Sequence, residues 1–286
     1  MTAREPRLLL DDLYFPEGPR WHQGRLYFSD MKAGEVIALD LHGERTTVAS
    51  VPEGPSGLGI GRDGRWLVVS MHDRKLLRIT DSGTEPVADL ASIATGHCND
   101  MVVDGHGRAY IGNFGFDFEN GERPKPAQLA LVTPDGGARA VADDLLFANG
   151  MAVTPDARTL IVAESFAARL TAFHITDNGE LRDRRLWAQL QVPPDGICLD
   201  AEGCVWIANP LPPGGFLRVA EGGDIKARIE SPERVGLACM LGGPERRTLF
   251  LLESVGSRPG QSKRGDGRIR AVEVDVPGAG FPSATP

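Results

Sequence analysis

One sequence unit recurs six times along this chain of 286 residues. Each copy has a small or polar residue, usually followed by Gly, then an apolar strand, a turn that ends in Gly-Arg in the first three copies, and a second apolar strand. The residue before the recurrent Gly marks each copy, and these marker residues are Glu17, Ser56, Asn99, Asn149, Asp195 and Val235. Successive marker residues are 39 to 50 residues apart. This spacing, with three or four short strands in each copy, is typical of β-propeller blades, whereas a TIM barrel would need a helix after each strand.

The repeats predict the fold class and the domain organisation. We expect an all-β protein, a six-bladed β-propeller with four-stranded antiparallel blades, in a single domain over residues 1–286. The sixth copy ends near Val274 without a clear fourth strand, and an unassigned apolar strand from Arg7 to Asp11 precedes the first copy. A ring of blades must cover the open edges of its first and last sheets. We therefore predict that the N-terminal strand pairs with blade six.

Composition and charge exclude several other classes. The 35 Gly and 21 Pro residues are spread evenly, which indicates frequent turns rather than a flexible linker. Lys and Arg number 31 against 39 Asp and Glu, and no basic run occurs, so nucleic acid is not an expected partner. No apolar run approaches the ~20 residues that span a bilayer, and the first residues lack a secretory signal. We expect a cytoplasmic protein with no membrane partner, and the sequence predicts no particular oligomeric state.

The six marker positions are candidates for a shared site. In a propeller the first strand of every blade lines the central channel, so equivalent residues of the six copies converge near the axis. Five markers carry Glu, Ser, Asn or Asp in an otherwise apolar context, where a purely structural role would favour small apolar residues. Asp100 follows the third marker, where the other five copies have Gly. The channel is therefore predicted to gather the carboxylates of Glu17, Asp195 and Asp100 with the amides of Asn99 and Asn149.

Carboxylates gathered in this way repel one another, so either their pKa values rise strongly or a cation neutralises them. Carboxylate and amide oxygens, with no His among the markers, are the ligands of hard divalent ions. The expected cofactor is one divalent metal ion, with Ca²⁺ as the first choice and Mg²⁺, Mn²⁺ or Zn²⁺ as alternatives. No phosphate-binding loop or dinucleotide fingerprint occurs in the sequence, so no organic cofactor is expected.

Several motifs resemble those of the SMP-30/gluconolactonase/regucalcin-like (LRE) family of six-bladed propellers. The resemblance covers nearly the whole chain, and it rests on the segments Phe15-Pro16-Glu17-Gly18-Pro19-Arg20-Trp21, Asn99-Asp100, Asn149-Gly150-Met151-Ala152, Pro194-Asp195-Gly196 and Gly242-Gly243-Pro244. It implies a divalent metal held by Glu17, Asn149 and Asp195, which also occupy marker positions. It further implies that Asn99 and Asp100 contact the substrate, and that the reaction is hydrolysis of a lactone, often one of a sugar acid.

One position departs from the sugar-lactone pattern. Two residues before the Asn of blade three, those enzymes usually have Arg, whereas this chain has His97. The guanidinium group of Arg is planar and permanently charged, while the His side chain is shorter and titrates near neutrality. We therefore expect a small-molecule substrate that is less hydroxylated than a typical aldonolactone, or another ester. His97 is expected to contact it or to act as an acid or base, and a purely structural histidine is the alternative.

Two longer segments interrupt the repeat. Residues 113–128 in blade three carry Phe114, Phe116 and Phe118, and we expect an apolar lid in which Phe114 and Phe116 contact the substrate. Residues 254–267 in blade six are rich in Gly, Arg and Ser, and we assign them no role at the site.

The predicted reaction is metal-assisted hydrolysis of a lactone, in which the ring carbonyl is polarised by the ion and attacked by water. Asp195 would be both ligand and general base, Asn99 would hold the developing oxyanion, and Asp100 would orient the substrate. A metal-dependent hydrolase of organophosphates or other esters is an alternative, and so is a non-catalytic calcium-binding propeller. A Ser-His-Asp hydrolase is disfavoured because no Gly-x-Ser-x-Gly elbow occurs.

Overall fold

The computed structural model describes residues 5–280, and these residues form six antiparallel sheets of four strands each. Blades one to three contain β2 (Pro16–His22), β3 (Arg25–Asp30), β4 (Glu35–Leu39), β5 (Arg45–Ser50); β6 (Pro55–Ile60), β7 (Trp66–Ser70), β8 (Lys75–Thr80), β9 (Gly83–Asp89); and β10 (Cys98–Val103), β11 (Ala109–Asn113), β12 (Ala127–Val132), β13 (Ala138–Leu145). Blades four to six contain β14 (Ala148–Val153), β15 (Thr159–Glu164), β16 (Arg169–Ile175), β17 (Leu181–Gln189); β18 (Ile197–Leu199), β19 (Val205–Ala208), β20 (Phe216–Val219), β21 (Ile225–Ile229); and β22 (Val235–Gly242), β23 (Thr248–Ser254), β24 (Gly267–Glu273), β1 (Arg7–Leu13).

The six sheets close into a ring. The first strand of each blade packs against the first strand of the next blade, and β22 of blade six packs against β2 of blade one. β1 pairs with β24 in antiparallel register, with Arg7 opposite Ala271 and Leu13 opposite Gly267. The predicted six-bladed propeller, closed by its N-terminal strand, is therefore confirmed. The outermost parts of the predicted domain, residues 1–4 and 281–286, lie outside the described residues.

Burial differs between the inner and the outer strands of the blades. Every residue of the inner strands β10, β14 and β22 is buried, whereas the outer strands β5 and β13 are mostly exposed or half-buried. Apolar side chains pack between neighbouring sheets, as where Leu67 and Val69 of blade two meet Met101 and Val103 of blade three. The core therefore consists of apolar layers between blades, which fix the inner strands around the channel. Between residues 5 and 280, no helix has the length and apolar character needed to cross a membrane.

The Gly that follows most marker residues is needed because the inner strands approach one another closely. A Cβ atom built on Gly57 would lie 2.3 Å from the backbone nitrogen of Met101, and one built on Gly150 would lie 2.5 Å from that of Ile197. Both distances are far below van der Waals contact in a close-packed interior. The recurrent Gly is thus a packing requirement of the ring.

Replacing Gly150 by Ala should lower the free energy of unfolding by about 1–3 kcal/mol, since the added methyl group must push two packed inner strands apart. Gly256→Ala is the matched control, because a Cβ atom built on Gly256 meets nothing within 4 Å among the described residues. Chemical denaturation followed by tryptophan fluorescence measures both variants. A Gly150→Ala protein as stable as the wild type would show that the inner strands have room for a side chain.

Two long connections stand on the same face of the propeller. In an antiparallel blade, the connection from the second to the third strand lies at the end where the first strand begins. The segments between β11 and β12 and between β23 and β24 are connections of this kind, and the second contains a short 3-10 turn at Pro259–Gln261. Both segments therefore lie beside the marker residues, which occupy the starts of the inner strands.

Candidate active site

A cavity of about 540 Å³ opens on this face of the propeller. Its floor is formed by four marker residues from four blades, Glu17, Asn99, Asn149 and Asp195. Each is between 6 and 8% exposed, so all four are nearly withdrawn from bulk water. A fifth marker residue, Ser56, is buried beside them and donates a hydrogen bond to Asn99 Oδ1 at 3.4 Å. The site thus brings together residues that are far apart in sequence, such as Glu17 and Asn99, which are separated by 82 positions.

Irregular pairing in the inner strands accompanies these side chains. The pairing of β2 with β3 shifts register between Glu17 and Arg20, and that of β14 with β15 shifts between Ala148 and Met151. β6 and β10 have the corresponding shifts. Bulges of this kind bend a strand and re-aim a side chain, and they are common beside functional sites. The same local distortion is therefore repeated in four blades, each time at the marker residue.

A chain of hydrogen bonds fixes the orientation of the floor amides. Asn99 Nδ2 donates to Asn149 Oδ1 at 3.0 Å, and Asn149 Nδ2 donates to Asp195 Oδ1 at 2.5 Å. Asn149 Nδ2 also donates to Ser165 Oγ at 3.1 Å, and the Ser165 hydroxyl donates to the carbonyl oxygen of Pro194 at 2.7 Å. Blades three, four and five are joined by this chain, so the two amides and the Asp195 carboxylate are held in one arrangement.

Burial and mutual repulsion raise the pKa values of the two floor carboxyl groups. Burial is the largest cause of the raised pKa of Glu17, and the charges of Asp195 and Asp100 raise it further. Burial likewise raises the pKa of Asp195 well above its ordinary value, against a hydrogen bond from Asn149 and with a contribution from the charge of Asp100. The charged forms of both groups are therefore unfavourable unless a cation lies beside them.

Asp100 faces the guanidinium group of Arg20, which reaches across the channel from blade one. The distance between Arg20 Nη2 and Asp100 Oδ1 is 3.8 Å, and both side chains are at most 7% exposed. Arg20 also donates hydrogen bonds to the carbonyl oxygens of Pro19 and Met101. Asp100 is thus paired within the channel and lies outside the set of residues that line the cavity. Its contact with substrate stays a prediction.

The buried charges near the floor do not balance. Glu17, Asp100 and Asp195 supply three carboxylates, while Arg20 supplies one guanidinium group. Within residues 5–280, no other basic side chain forms an ion pair with these three carboxylates. With all three carboxylates ionised, two negative charges would remain, and one divalent cation would neutralise them. The oxygen donors of Glu17, Asn149 and Asp195 suit a hard ion, so the residues present fit the predicted metal.

Aromatic rings form one wall of the cavity. This aromatic wall consists of Phe114 and Phe118, from the blade-three insertion, with Phe147 and Phe166 from blade four. Phe114 stacks on Phe147 with ring centroids 4.3 Å apart, and Phe147 lies 5.1 Å from Phe166. Phe116 is 2% exposed, and its ring packs 5.3 Å from that of Phe166. Of the two Phe residues predicted to contact substrate, Phe114 lines the cavity, whereas Phe116 packs behind the rings that do.

His97 belongs to a second group of possible metal ligands. The ligand atoms of His72, His97 and Glu119 all lie within 4.8 Å of one another. The His97 ring centroid is 6.1 Å from that of Phe114, so His97 adjoins the aromatic wall but lies outside the cavity lining. Burial and the charge of His72 lower the pKa of His97, which favours the neutral imidazole that metals bind. The substrate contact predicted for His97 stays a prediction.

Several residues at the cavity were not singled out from the sequence, among them Phe147, Ser165, Phe166 and Arg258. Phe147 comes two positions before the marker residue of blade four, and Ser165 and Phe166 directly follow the second strand of that blade. Their positions in the repeat could therefore have indicated that they lie near the site. Arg258 comes from the 254–267 segment, to which the sequence analysis assigned no role. Its place depends on how an irregular loop folds back, which the repeat does not encode.

The chain belongs to the SMP-30/gluconolactonase/LRE-like family. The model of that family, described as the SMP-30/Gluconolactonase/LRE-like region, matches residues 15–254. All four floor residues lie within the matched range. The resemblance inferred from the motifs is therefore confirmed, and membership of this family supports a lactone-hydrolysing function.

Individual relatives agree with the family assignment. A 6-deoxy-6-sulfogluconolactonase of Pseudomonas putida is 26% identical over 98% of this chain and 96% of its own length. A gluconolactonase of Xanthomonas campestris has a similar structure, with a TM-score of 0.75 and 21% identity over 96% of each chain. A calcium-binding protein, regucalcin, of Agrobacterium tumefaciens gives a TM-score of 0.80 and 21% identity over 96% of this chain and 95% of its own. The two solved structures share the fold described above.

Proposed function

We propose that this protein is a divalent-metal-dependent hydrolase that opens lactone rings with water. The observation that carries the proposal is the convergence of Glu17, Asn149 and Asp195 at the cavity floor, where the two buried carboxyl groups have no basic side chain as an ion-pair partner within residues 5–280. The family supports the reaction class, and the relative from Pseudomonas putida is named as a lactonase. A cavity of about 540 Å³ has the size of a site for one small molecule.

The oxygens of Glu17, Asn149 and Asp195 would hold the ion. A bound divalent ion supplies positive charge that polarises an ester carbonyl and lowers the pKa of water. Ca²⁺ is the first choice because all the donors are oxygens, and Mg²⁺ and Mn²⁺ share this preference. Three protein donors leave positions for water and for the substrate carbonyl.

The floor residues would divide the remaining tasks. Asp195 would accept a proton from the attacking water at the carboxylate oxygen that Asn149 does not hold, and the oxygen that accepts from Asn149 would use its second lone pair on the ion. Asn99 uses one Nδ2 hydrogen on Asn149 and has a second to donate to the oxygen on which negative charge develops. The ring oxygen leaves as a hydroxyl group that takes the proton held by Asp195. The product is the open-chain hydroxy acid.

Asp100 and His97 would act through their neighbours in this proposal. Asp100 pairs with Arg20, and His97 packs beside Phe114. Asp100 would hold the Arg20 guanidinium in the channel beneath the floor, and His97 would support the ring that the substrate touches. Both are therefore proposed as positioning residues rather than catalytic ones.

Removing the ion should abolish turnover. Chelator-treated protein should lose at least about 100-fold in kcat for lactone opening, since the floor then lacks its electrophile. Adding back Ca²⁺, Mg²⁺ or Mn²⁺ one at a time should restore activity in a pH-indicator assay with sugar, aliphatic and aromatic lactones. Full activity in the chelated protein would contradict the metal requirement.

The same assay tests where the catalytic ion binds. Imidazole ligands favour Zn²⁺, so the cluster of His72, His97 and Glu119 would select it over Ca²⁺. We expect His72→Gln to keep its activation by Ca²⁺ and Glu17→Gln to lose it. Activation by Zn²⁺ alone, lost in His72→Gln, would move the catalytic ion to the cluster.

Two further outcomes would favour the two alternative functions. Hydrolysis of organophosphates or simple esters, with no lactone turned over, would keep the metal and change the bond that is broken. Stoichiometric Ca²⁺ binding by calorimetry, with no turnover of any ester, would favour a non-catalytic calcium-binding propeller.

A further inference from the structure

The walls of the cavity are apolar almost throughout. Eleven of the 18 residues that line it are Phe, Met, Ala, Pro or Leu. The lining residues with hydrogen-bonding side chains at the floor are Glu17, Asn99, Asn149, Ser165 and Asp195. Among the lining residues that the structure describes, the walls add only two more, Ser257 and Arg258. Polar recognition is thus concentrated at the floor and at one point of the wall.

A sugar lactone does not match these walls. Each of its hydroxyl groups exchanges water for a protein partner when the ligand is enclosed, and an unpaired hydroxyl costs about tenfold in affinity. The floor donors are already bonded to one another or would be used on the ester group. Phe166 and Leu211 line the cavity and are 46 and 49% exposed, so they offer apolar surface that an apolar ligand would cover.

Arg258 is the basic side chain of the wall, and its hydrogen-bonding edge is available. Its guanidinium carbon lies 5.1 Å from the centre of the Phe118 ring. Stacking of this kind uses the face of the guanidinium group and leaves the N–H groups at its edge free. Within residues 5–280, no carboxylate forms an ion pair with Arg258, although acidic side chains outnumber basic ones in the chain. A ligand carboxylate would supply the missing partner.

We propose that the substrate is a lactone with an apolar, aromatic body and a carboxylate that pairs with Arg258, and not a polyhydroxylated sugar lactone. The ester group would lie at the floor, the body against the stacked rings of Phe114 and Phe147, and the carboxylate at the 254–267 segment. A carboxylate matches the planar fork of Arg through two parallel hydrogen bonds. The inference rests on the proposed function and names the substrate class for its site.

Three lactones of the same ring size test the proposal by their kcat/KM values with the Ca²⁺-loaded protein: D-glucono-1,5-lactone, a phenyl-substituted δ-valerolactone, and the same phenyl compound with a carboxylate on the phenyl ring. We expect the phenyl compound to exceed the sugar lactone by at least tenfold. The carboxylated compound should exceed the uncharged one by about tenfold, the size of one charge-assisted hydrogen-bonded pair.

Variants of the loop assign the effect to Arg258. Arg258→Gln should reduce the ratio between the carboxylated and the uncharged lactone to about one, whatever its effect on each rate. Arg264→Gln is the matched control, because it removes the same charge from the same segment at an exposed site paired with Asp12. It should keep the tenfold ratio. An unchanged ratio in Arg258→Gln would overturn the assignment of the carboxylate to Arg258.

A binding measurement separates this inference from the proposed reaction. The phenyl lactam that corresponds to each phenyl lactone resists hydrolysis, and calorimetry measures its affinity directly. Tighter binding of the carboxylated lactam, lost in Arg258→Gln, would support the ligand class even if no lactone were turned over, and the proposed reaction alone would then fail. A wild-type preference for gluconolactone would overturn the substrate class and leave the lactonase proposal intact.

Discussion

Asp195→Asn should lower kcat/KM for lactone opening by at least about 1,000-fold, because one substitution removes both a ligand charge and the proposed base. The affinity for Ca²⁺ should fall with it by at least about 100-fold, since the remaining donors carry one charge fewer. The shape of the side chain is retained, and the loss therefore reports its charge. Lactone kinetics and calorimetric ion titration measure the two effects.

Asp195→Asn should leave the ion-free protein at least as stable as the wild type. Burial raises the pKa of Asp195, so above the ordinary pKa of Asp the charged form opposes folding in the absence of a cation. The neutral amide of Asn removes this unfavourable contribution to the free energy of folding. In chelator, the melting temperature of the variant should equal or exceed that of the wild type, whereas added Ca²⁺ should stabilise the wild type more.

Asp224→Asn is the matched control for this substitution. Its carboxylate is 83% exposed beside Lys226, so the same change of charge occurs far from the cavity floor. It should keep both activity and ion affinity. Lactone turnover by Asp195→Asn within tenfold of the control would remove Asp195 from the proposed chemistry.

Glu253→Gln should lower the free energy of unfolding by about 3–5 kcal/mol, as expected when one partner of a buried ion pair is removed. The Glu253 side chain is fully buried at the end of β23 and accepts hydrogen bonds from Ser231 and from Arg268 and Arg270 of β24. Its replacement leaves two guanidinium groups without their shared carboxylate. These groups lie on the strand that pairs with β1, so the variant weakens closure of the ring.

The stabilisation by Glu253 should depend on pH. Burial alone would raise its pKa, but hydrogen bonds from Arg270, Ser231 and Arg268 overcome this and lower the pKa of Glu253 below its ordinary value. A lowered pKa in the folded state means that the stabilisation is fully present above the ordinary pKa of Glu. It is lost as pH falls through the lowered pKa of the folded state. Denaturant titrations of wild type and variant should therefore converge as the solution is acidified through that interval.

Glu245→Gln provides the comparison for Glu253→Gln. Its side chain is 82% exposed and faces Arg247 at 3.8 Å, so its removal should change stability by less than about 1 kcal/mol. A Glu253→Gln protein as stable as Glu245→Gln at neutral pH would show that the buried network does not hold blade six together.

The blade count and the floor residues follow from one property of the sequence, its repetition. Equivalent positions in a ring of repeats lie around one axis, so the alignment of copies locates Glu17, Asn99, Asn149 and Asp195 without knowledge of any contact. The recurrent Gly is part of the same pattern, because the inner strands of every blade approach one another in the same way. Features shared by all blades are predictable for this reason.

Features that occur in one blade alone were harder to predict. Asp100 replaces a Gly, and its partner Arg20 comes from blade one, two blades away, so no local pattern indicates the pair. His97 is close to His72 only because two loops of neighbouring blades meet above the strands. Arg258 reaches the cavity through an irregular segment whose fold depends on tertiary packing. Loops of this kind carry no periodic signal for sequence analysis to use.

Anomalous diffraction from crystals grown with Mn²⁺ tests the central claim most directly, because it locates the ion without reference to activity. We expect a peak at the cavity floor, within coordination distance of oxygens from Glu17, Asn149 and Asp195. An empty floor, with Mn²⁺ held only by His72, His97 and Glu119 or by no site in the propeller, would contradict the account.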